Sequence, residues 1–232
     1  MENLKESPSD VTGASMHPIV PRPYYDYGGI TIYHGDCRLI VPVIGEFDLL
    51  LTDPPYGMDY KPTQASHKPN RTKRVWSAVH DDNKPFDPSE WMKYKDCVLW
   101  GANWFCDKLP PKGGWFVFNK RGEGKPSAND FGDCEIAWTS LDTKPLRMYS
   151  TVWHGTARWS REPVLHPTQK PVSLMEWCLT WFPESKSVLD PFMGSGSTLV
   201  AAKAAGLRAV GIEINEEYCE KAADRLSQGV LF

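Results

Sequence analysis

The stretch from Ser187 to Glu217 constrains the fold of this chain more than any other part of it. Val188-Leu189-Asp190 reads as a short strand, and Pro191-Phe192-Met193-Gly194-Ser195-Gly196-Ser197 as a tight loop. Thr198 to Ala205 is an alanine-rich helix closed by Gly206. Arg208 to Glu213 forms a second strand, after which Asn215 caps a helix whose first turn carries Glu216 and Glu217. This is a strand–loop–helix–strand unit with an acid ending its second strand, the repeating piece of a doubly wound, mostly parallel sheet. Gly194 and Gly196 allow a ligand to approach the backbone closely. Glu213 stands 23 residues after Asp190, where a carboxylate can accept from both hydroxyls of a ribose.

A second strand-end acid lies far upstream. Phe47-Asp48-Leu49-Leu50-Leu51-Thr52 is the apolar run of a buried parallel strand, and Pro54 and Pro55 stop it abruptly. Asp53 is thereby delivered at the carboxyl end of a strand, where open α/β sheets place their ligands. The two prolines have no N–H, which leaves their carbonyls as rigid acceptors, and Tyr56 adds a flat aromatic face. A carboxylate, a fixed carbonyl and a stacking ring suit the amino group of a nucleobase. Between these two regions, His166-Pro167-Thr168-Gln169-Lys170-Pro171 precedes an amphipathic segment from Val172 to Phe182, with Pro171 in a first helical turn and Pro183 as a stop.

Taken together, Asp53-Pro54-Pro55-Tyr56, the run Asp190 to Thr198 followed by Gly-Ile-Glu213, and the His166–Pro171 segment resemble the motifs of the amino-methylating DNA methyltransferases, which act on adenine N6 or cytosine N4. The likeness covers roughly residues 29 to 230. Its order, catalytic strand first and cofactor loop last, resembles the circularly permuted β group of that family. The resemblance implies a Rossmann-like methyltransferase fold with S-adenosylmethionine as cofactor. It makes Asp53, Pro54, Pro55 and Tyr56 catalytic, and gives Asp190, Phe192, Gly194, Ser195, Gly196, Ser197, Thr198 and Glu213 to the cofactor. Asp36 and Cys37, after the strand from Gly29, fall near the cofactor's adenine. Lys170 faces the methionine carboxylate, with His166 and Thr168 shaping that end of the pocket.

Length and composition set the frame. With 232 residues and 41% hydrophobic content the chain fits one sizeable α/β domain, or that domain plus a small insertion; the resemblance makes residues 28–232 a single methyltransferase domain, behind a flexible arm over 1–27. No apolar run approaches the length of a membrane span, and Met1–Asp10 lacks the apolar core of a signal peptide. The six cysteines show no metal-ligand spacing and read as reduced residues of a cytoplasmic protein. Net charge is −3, yet a basic loop over 57–80 carries Lys61, Lys68, Arg71, Lys73 and Arg74 with no acid between Lys61 and Val79. Such a loop beside Tyr56 can contact phosphates. Arg158 and Arg161, among Tyr149, Trp153 and Trp159, mark a short target-recognition region over about 144–165. DNA is the expected partner, with RNA not excluded, for a monomer or homodimer.

The remaining sheet comes from the middle of the chain. Asp96–Trp100, Trp115–Phe118, Cys134–Trp138 and Thr151–Trp153 read as strands, and Asp87-Pro88-Ser89-Glu90 as a capping box opening a helix towards Tyr94. Trp104 and Trp138 are candidates for the base pocket.

An exocyclic amino group is a weak nucleophile because its lone pair is delocalised into the ring. Asp53 and the Pro54 carbonyl could each accept one N–H and favour a pyramidal nitrogen for in-line transfer, without a covalent enzyme intermediate. The chain has no Pro-Cys pair, the nucleophile required for methylation at a ring carbon. A protein glutamine methyltransferase begins its motif with Asn and puts its cofactor loop first, so Asp53 and the motif order argue against it. A non-catalytic nucleic-acid-binding subunit is disfavoured by the intact Asp53, Tyr56, Gly194, Gly196 and Glu213. An Asp opening the catalytic motif accompanies adenine more often than cytosine in the resembling family, which favours adenine N6 over cytosine N4.

Overall fold

A computed structural model describes residues 20–59, 80–122, 132–142, 146–154, 157–158 and 162–228. In chain order the first half contains β1 (Tyr25–Tyr27), β2 (Ile30–His34), α1 (Cys37–Ile40), β3 (Leu49–Thr52), β4 (Asp96–Trp100) and β5 (Gly114–Asn119). There follow β6 (Cys134–Thr139), β7 (Arg147–Ser150), β8 (Trp153–His154), β9 (Ala157–Arg158) and α2 (Val172–Leu179). The chain then runs through β10 (Ser187–Asp190), α3 (Ser197–Ala204), β11 (Arg208–Glu213) and α4 (Glu216–Ser227).

Nine of these strands form one sheet in the order β1-β2-β11-β10-β3-β4-β6-β5-β7. The five strands from β2 to β4 in that order are mutually parallel, and β6 runs antiparallel to both its neighbours. β10 and β3 lie side by side, Val188 opposite Leu49 and Leu189 opposite Leu50. From this pair the sheet grows outward in both directions, through β11 on one side and β4 on the other. Such a switch point opens a crevice at the carboxyl ends of the strands. The chain reaches β3 before β10, so the two edges of the crevice come from opposite ends of the sequence.

Both faces of the central strands are covered, which is why β3 and β10 read as unbroken apolar runs. Leu49, Leu51 and Val188 pack with α2, α3 and α4 through Leu174, Met175, Leu199 and Ala222. The intervening Leu50 and Leu189 point to the opposite face, against Ile40, Phe86, Trp91 and Phe105.

Several expectations shift on contact with the packing. The reciprocal capping box expected at Asp87 is not what the structure shows: Asp87 Oδ1 accepts the Ser89 amide at 3.0 Å, Glu90 is the N-cap without a side-chain bond, and only a single three-ten turn follows, Trp91–Lys93. Trp91 is drawn into an edge-to-face contact with Phe192 at 5.3 Å, and Tyr94 is already extended two residues before β4 begins. No room remains for a second turn. Helix α2 ends at Leu179, short of Phe182, and Pro171 is its N-cap. Thr151–Trp153 does not form a strand of the main sheet: Val152 makes an isolated bridge to Arg121, and Trp153 pairs with Arg158 in the β8–β9 ribbon. Tyr25–Tyr27, assigned to the arm, is an edge strand antiparallel to β2, with Tyr25 packed on the core. Residues 1–19 of that arm lie outside the described residues.

Candidate active site

At the end of β3 the buried Thr52 hydroxyl donates to Asp190 Oδ1 at 2.7 Å, tying the two central strand ends together. The same Asp190 oxygen accepts the Phe192 amide at 3.2 Å, and Thr198 of α3 also bonds to this carboxylate. Burial pushes the Asp190 carboxyl up to about 6, against the pull of these donors. Asp190 is thus a peg joining β3, the loop and α3.

One residue further, Asp53 accepts from Lys170 Nζ at 2.5 Å through Oδ2 and from the Tyr56 hydroxyl through Oδ1. Lys170, expected to face a cofactor carboxylate, directs its buried ammonium here instead. It also lies 3.1 Å from the Tyr56 hydroxyl and 2.9 Å from Glu135 Oε2. Glu135 in turn holds Lys120 at 2.8 Å. Burial raises the Asp53 pKa while the Lys170 charge opposes it. Burial works against the Lys170 charge, but Asp53 and Glu135 outweigh it and hold the lysine well above its ordinary value. For Glu135 burial is likewise outweighed by Lys170 and Lys120, which bring the carboxyl down to about 2.

The Tyr56 ring is fixed from below by Gly101. A Cβ at Gly101 would stand 1.8 Å from the Tyr56 ring, and the residue sits at φ +74°, a left-handed conformation that glycine adopts without strain. The loop beyond is anchored by the buried Asp82, whose Oδ1 accepts the Tyr56, Gly57 and Met58 amides at 2.9, 2.9 and 3.3 Å.

The glycine loop forms the facing wall. Gly194 (φ +51°) donates its amide to Glu213 Oε2 at 3.0 Å, and Asn215 donates to Oε1 at 2.8 Å. A Cβ at Gly194 would lie 3.5 Å from the His166 ring, an ordinary contact, so conformation and not space requires glycine there. Burial, with Lys170 and Lys221 nearby, lowers the His166 pKa to about 4. Its neutral ring packs edge-on against Tyr218 at 4.4 Å, with Nδ1 near the Thr168 amide and hydroxyl.

One cavity is bordered by Asp53, His166, Thr168, Lys170, Asp190, Phe192, Gly194, Ser195, Ser197 and Thr198. Residues from all three sequence motifs therefore meet there. Pro54, Pro55, Tyr56, Gly196 and Glu213 adjoin those residues in the chain or by hydrogen bond without bordering the cavity. Asp36 and Cys37 do not border it either: Asp36 caps α1 through the Arg38 amide and pairs with the Arg38 guanidinium at 2.6 Å, and Cys37 is buried. The Asp36 position is nonetheless beside Glu213, since the Gly35 amide donates to the Glu213 carbonyl at 2.9 Å. Trp138 is a core residue, its indole N–H bonded to the Lys112 carbonyl at 3.2 Å, while Trp104 is exposed just beyond Gly101. Lys61, Lys68, Arg71, Lys73, Arg74 and Arg161 lie outside the described residues, and Arg158 sits on β9.

Four residues around the site were not singled out from the sequence: Glu135, Asp82, Gln169 and Arg225. Gln169 accepts the Leu165 amide and the Ser195 hydroxyl and donates to Glu162, knitting the segment before α2 to the glycine loop. Arg225 of α4 donates to the Ser195 carbonyl at 2.8 Å and pairs with Glu162 at 2.6 Å. Only Gln169 lay inside a recognised motif.

The switch-point crevice, with an acid-anchored glycine loop facing a strand-end Asp, defines a Rossmann-like methyltransferase fold. The PvuII DNA methyltransferase (cytosine-N4-specific) superposes with a TM-score of 0.52 at 14% identity over 88% of each chain. The M1.HpyAVI–SAM complex does so with 0.51 at 22% identity over 85% of this chain and 98% of that one. A DNA methylase family model, for N6/N4 enzymes, matches residues 120–224. Type II methyltransferase M.ScaI of Streptomyces caespitosus is 25% identical across 94% of this chain and 88% of its own length. Along most of its length the chain is thus similar to type II DNA methyltransferases, and its second half matches the DNA methylase family model.

Proposed function

We propose that this protein transfers a methyl group from S-adenosylmethionine to the exocyclic amino group of a base flipped out of DNA, adenine N6 in preference to cytosine N4. The observation that carries the reading is that Asp53 and the Phe192–Thr198 loop border one cavity at the ends of adjacent parallel strands. A group at Asp53 and a ligand on the glycine loop would be close enough to react.

The residues fit the cofactor. Gly194 and Gly196 present backbone without side chains, and Glu213, kept in place by two amides, retains lone pairs for ribose hydroxyls. Asp36 beside it suits the adenine end, and the neutral His166 with Thr168 suits the methionine end. S-adenosylmethionine, when bound, supplies an electrophilic sulfonium methyl.

Asp53 and the Pro54 carbonyl each accept one N–H of the target amino group, directing its lone pair into the cavity. As the nitrogen–methyl bond forms and the sulfur–methyl bond breaks, Asp53 receives the nitrogen's proton. Tyr56 offers its ring face for the base to stack on while its hydroxyl bonds to Asp53, and Pro55 stiffens the turn between them. Withdrawing a base from the duplex costs a few kcal/mol, of which stacking returns about 1–3 kcal/mol. Lys61, Lys68, Arg71, Lys73, Arg74, Arg158 and Arg161 are proposed to bind phosphates. Adenine is favoured by the Asp that opens the catalytic motif.

Nucleoside mass spectrometry after reaction with labelled cofactor on unmethylated, mixed-sequence DNA tests the base assignment. Label in N6-methyladenine is expected; label in N4-methylcytosine alone would overturn it.

A further inference from the structure

A carboxylate that must accept both hydrogen bonds and a proton has to be ionised when the base arrives. The surroundings of Asp53 make that difficult. It is largely buried, Glu135 from β6 stands across the Lys170 ammonium, and the Asp190 carboxylate lies behind Thr52. Two neighbouring carboxylates and loss of water all favour a protonated Asp53, which would forfeit acceptor capacity. One cation answers all three. Lys170 Nζ sits 2.5 Å from Asp53, 2.9 Å from Glu135 and 3.1 Å from the Tyr56 hydroxyl, with only 6% of its side chain exposed.

The lysine is held at both ends. Its carbonyl accepts the Ser197 hydroxyl of α3 at 2.7 Å, fixing its backbone to the helix that follows the glycine loop. Its ammonium is shared with Glu135, whose other oxygen is occupied by Lys120 from the region after β5. A lysine with Asp53 as its single anchor could follow the substrate out; one shared with Glu135 stays.

We infer that Lys170, held by Glu135, is the positioning residue that keeps Asp53 an ionised and oriented acceptor for the target amino group. This rests on Asp53 being the catalytic carboxylate, as proposed above. It removes Lys170 from the cofactor's carboxylate, where family likeness would put it.

The two variants have opposite consequences. Removing Lys170 leaves Asp53 buried among carboxylates and raises its affinity for a proton. Removing the Glu135 charge takes away a repelling neighbour while Lys170 remains, and lowers that affinity.

The test is single-turnover methyl transfer by the full chain across pH, with tritiated S-adenosylmethionine and unmethylated mixed-sequence DNA. Lys170→Met should lose at least about tenfold in rate near neutral pH and recover as pH rises, its acid limb displaced upward. Glu135→Gln, a nearly isosteric change that spares the fold, should displace the acid limb downward. Lys170→Arg should restore part of the wild-type profile, and cofactor affinity should change less than about twofold in all three. Identical pH profiles for wild type, Lys170→Met and Glu135→Gln would overturn the inference. So would a large loss of cofactor affinity in Lys170→Met with its pH profile unmoved. Undiminished transfer by Asp53→Ala would instead remove the catalytic reading beneath it.

Discussion

Three successive amides, of Tyr56, Gly57 and Met58, converge on one oxygen of Asp82, while the Tyr56 ring rests on Gly101. Neither residue has chemistry of its own, and both decide where the Tyr56 hydroxyl meets Asp53. Gly101→Ala should therefore destabilise the fold by about 1–3 kcal/mol through overpacking and a left-handed alanine, and reduce methyl transfer by displacing Tyr56. Denaturant unfolding alongside an activity assay checks this; unchanged stability and rate would mean that Tyr56 is not seated there. His166 gives a second expectation, with a definite sign. Its pKa falls from 6.5 to about 4 in the folded chain, so the unfolded chain takes up the proton first. The stability this ring contributes is complete above its unfolded value and is lost as pH falls from 6.5 towards about 4, by up to about 3 kcal/mol. Asp190 acts oppositely: its carboxyl is raised from 3.8 to about 6, so its penalty is relieved on acidification over that window. The difference between wild type and His166→Gln isolates the histidine. Their gap in unfolding free energy should narrow as pH drops from 6.5 towards 4, and a pH-independent gap would contradict the burial of a neutral ring. Asp53, Gly194 and Glu213 were legible because each sits in a contiguous motif whose spacing encodes its place. Glu135 and Asp82 were not, since they reach the site through sheet neighbours and loop contacts that leave no local pattern.

Elements built by continuous apolar runs were read to within a residue or two: β3, β4, β10 and β11 form where the run and its flanking turn signals put them. Elements whose fate depends on partners were not. Asp87 accepts the Ser89 amide at the expected helix start, yet aromatic packing of Trp91 and the nearby start of β4 allow a single turn. Tyr25–Tyr27 has no strand-length pattern and is ordered because β2 offers an edge. At this scale β11 and the glycine loop act as one device, because the Glu213 carboxylate at the strand end accepts the Gly194 amide of the loop. Glu213→Ala should weaken S-adenosylmethionine binding by about 1.5–3 kcal/mol, measured by calorimetric titration with the fold verified by circular dichroism. An unaltered affinity would move the ribose site elsewhere.

For the whole molecule, a net charge of −3 gives no long-range attraction to DNA, so phosphate affinity has to be local. Neutralising Lys68, Arg71, Lys73 and Arg74 together should weaken DNA binding and flatten its dependence on salt, since each phosphate contact contributes to the slope. An unchanged salt slope would assign those side chains to solvent. The arrangement of the molecule joins two ends of a long chain: β3, which ends at the proposed acceptor Asp53, is paired with β10, which leads into the proposed cofactor loop. The two strand-end acids were legible in the sequence, whereas the pairing of their strands and the ionic cluster behind it required the folded sheet. The proposed chemistry is concentrated in Asp53. The most direct measurement compares wild type with Asp53→Ala for transfer of labelled methyl to amino groups of unmethylated DNA, alongside S-adenosylmethionine affinity in the same preparations. The expected result is transfer abolished with cofactor affinity nearly intact; substantial transfer by the variant would contradict the assignment of Asp53 as the acceptor.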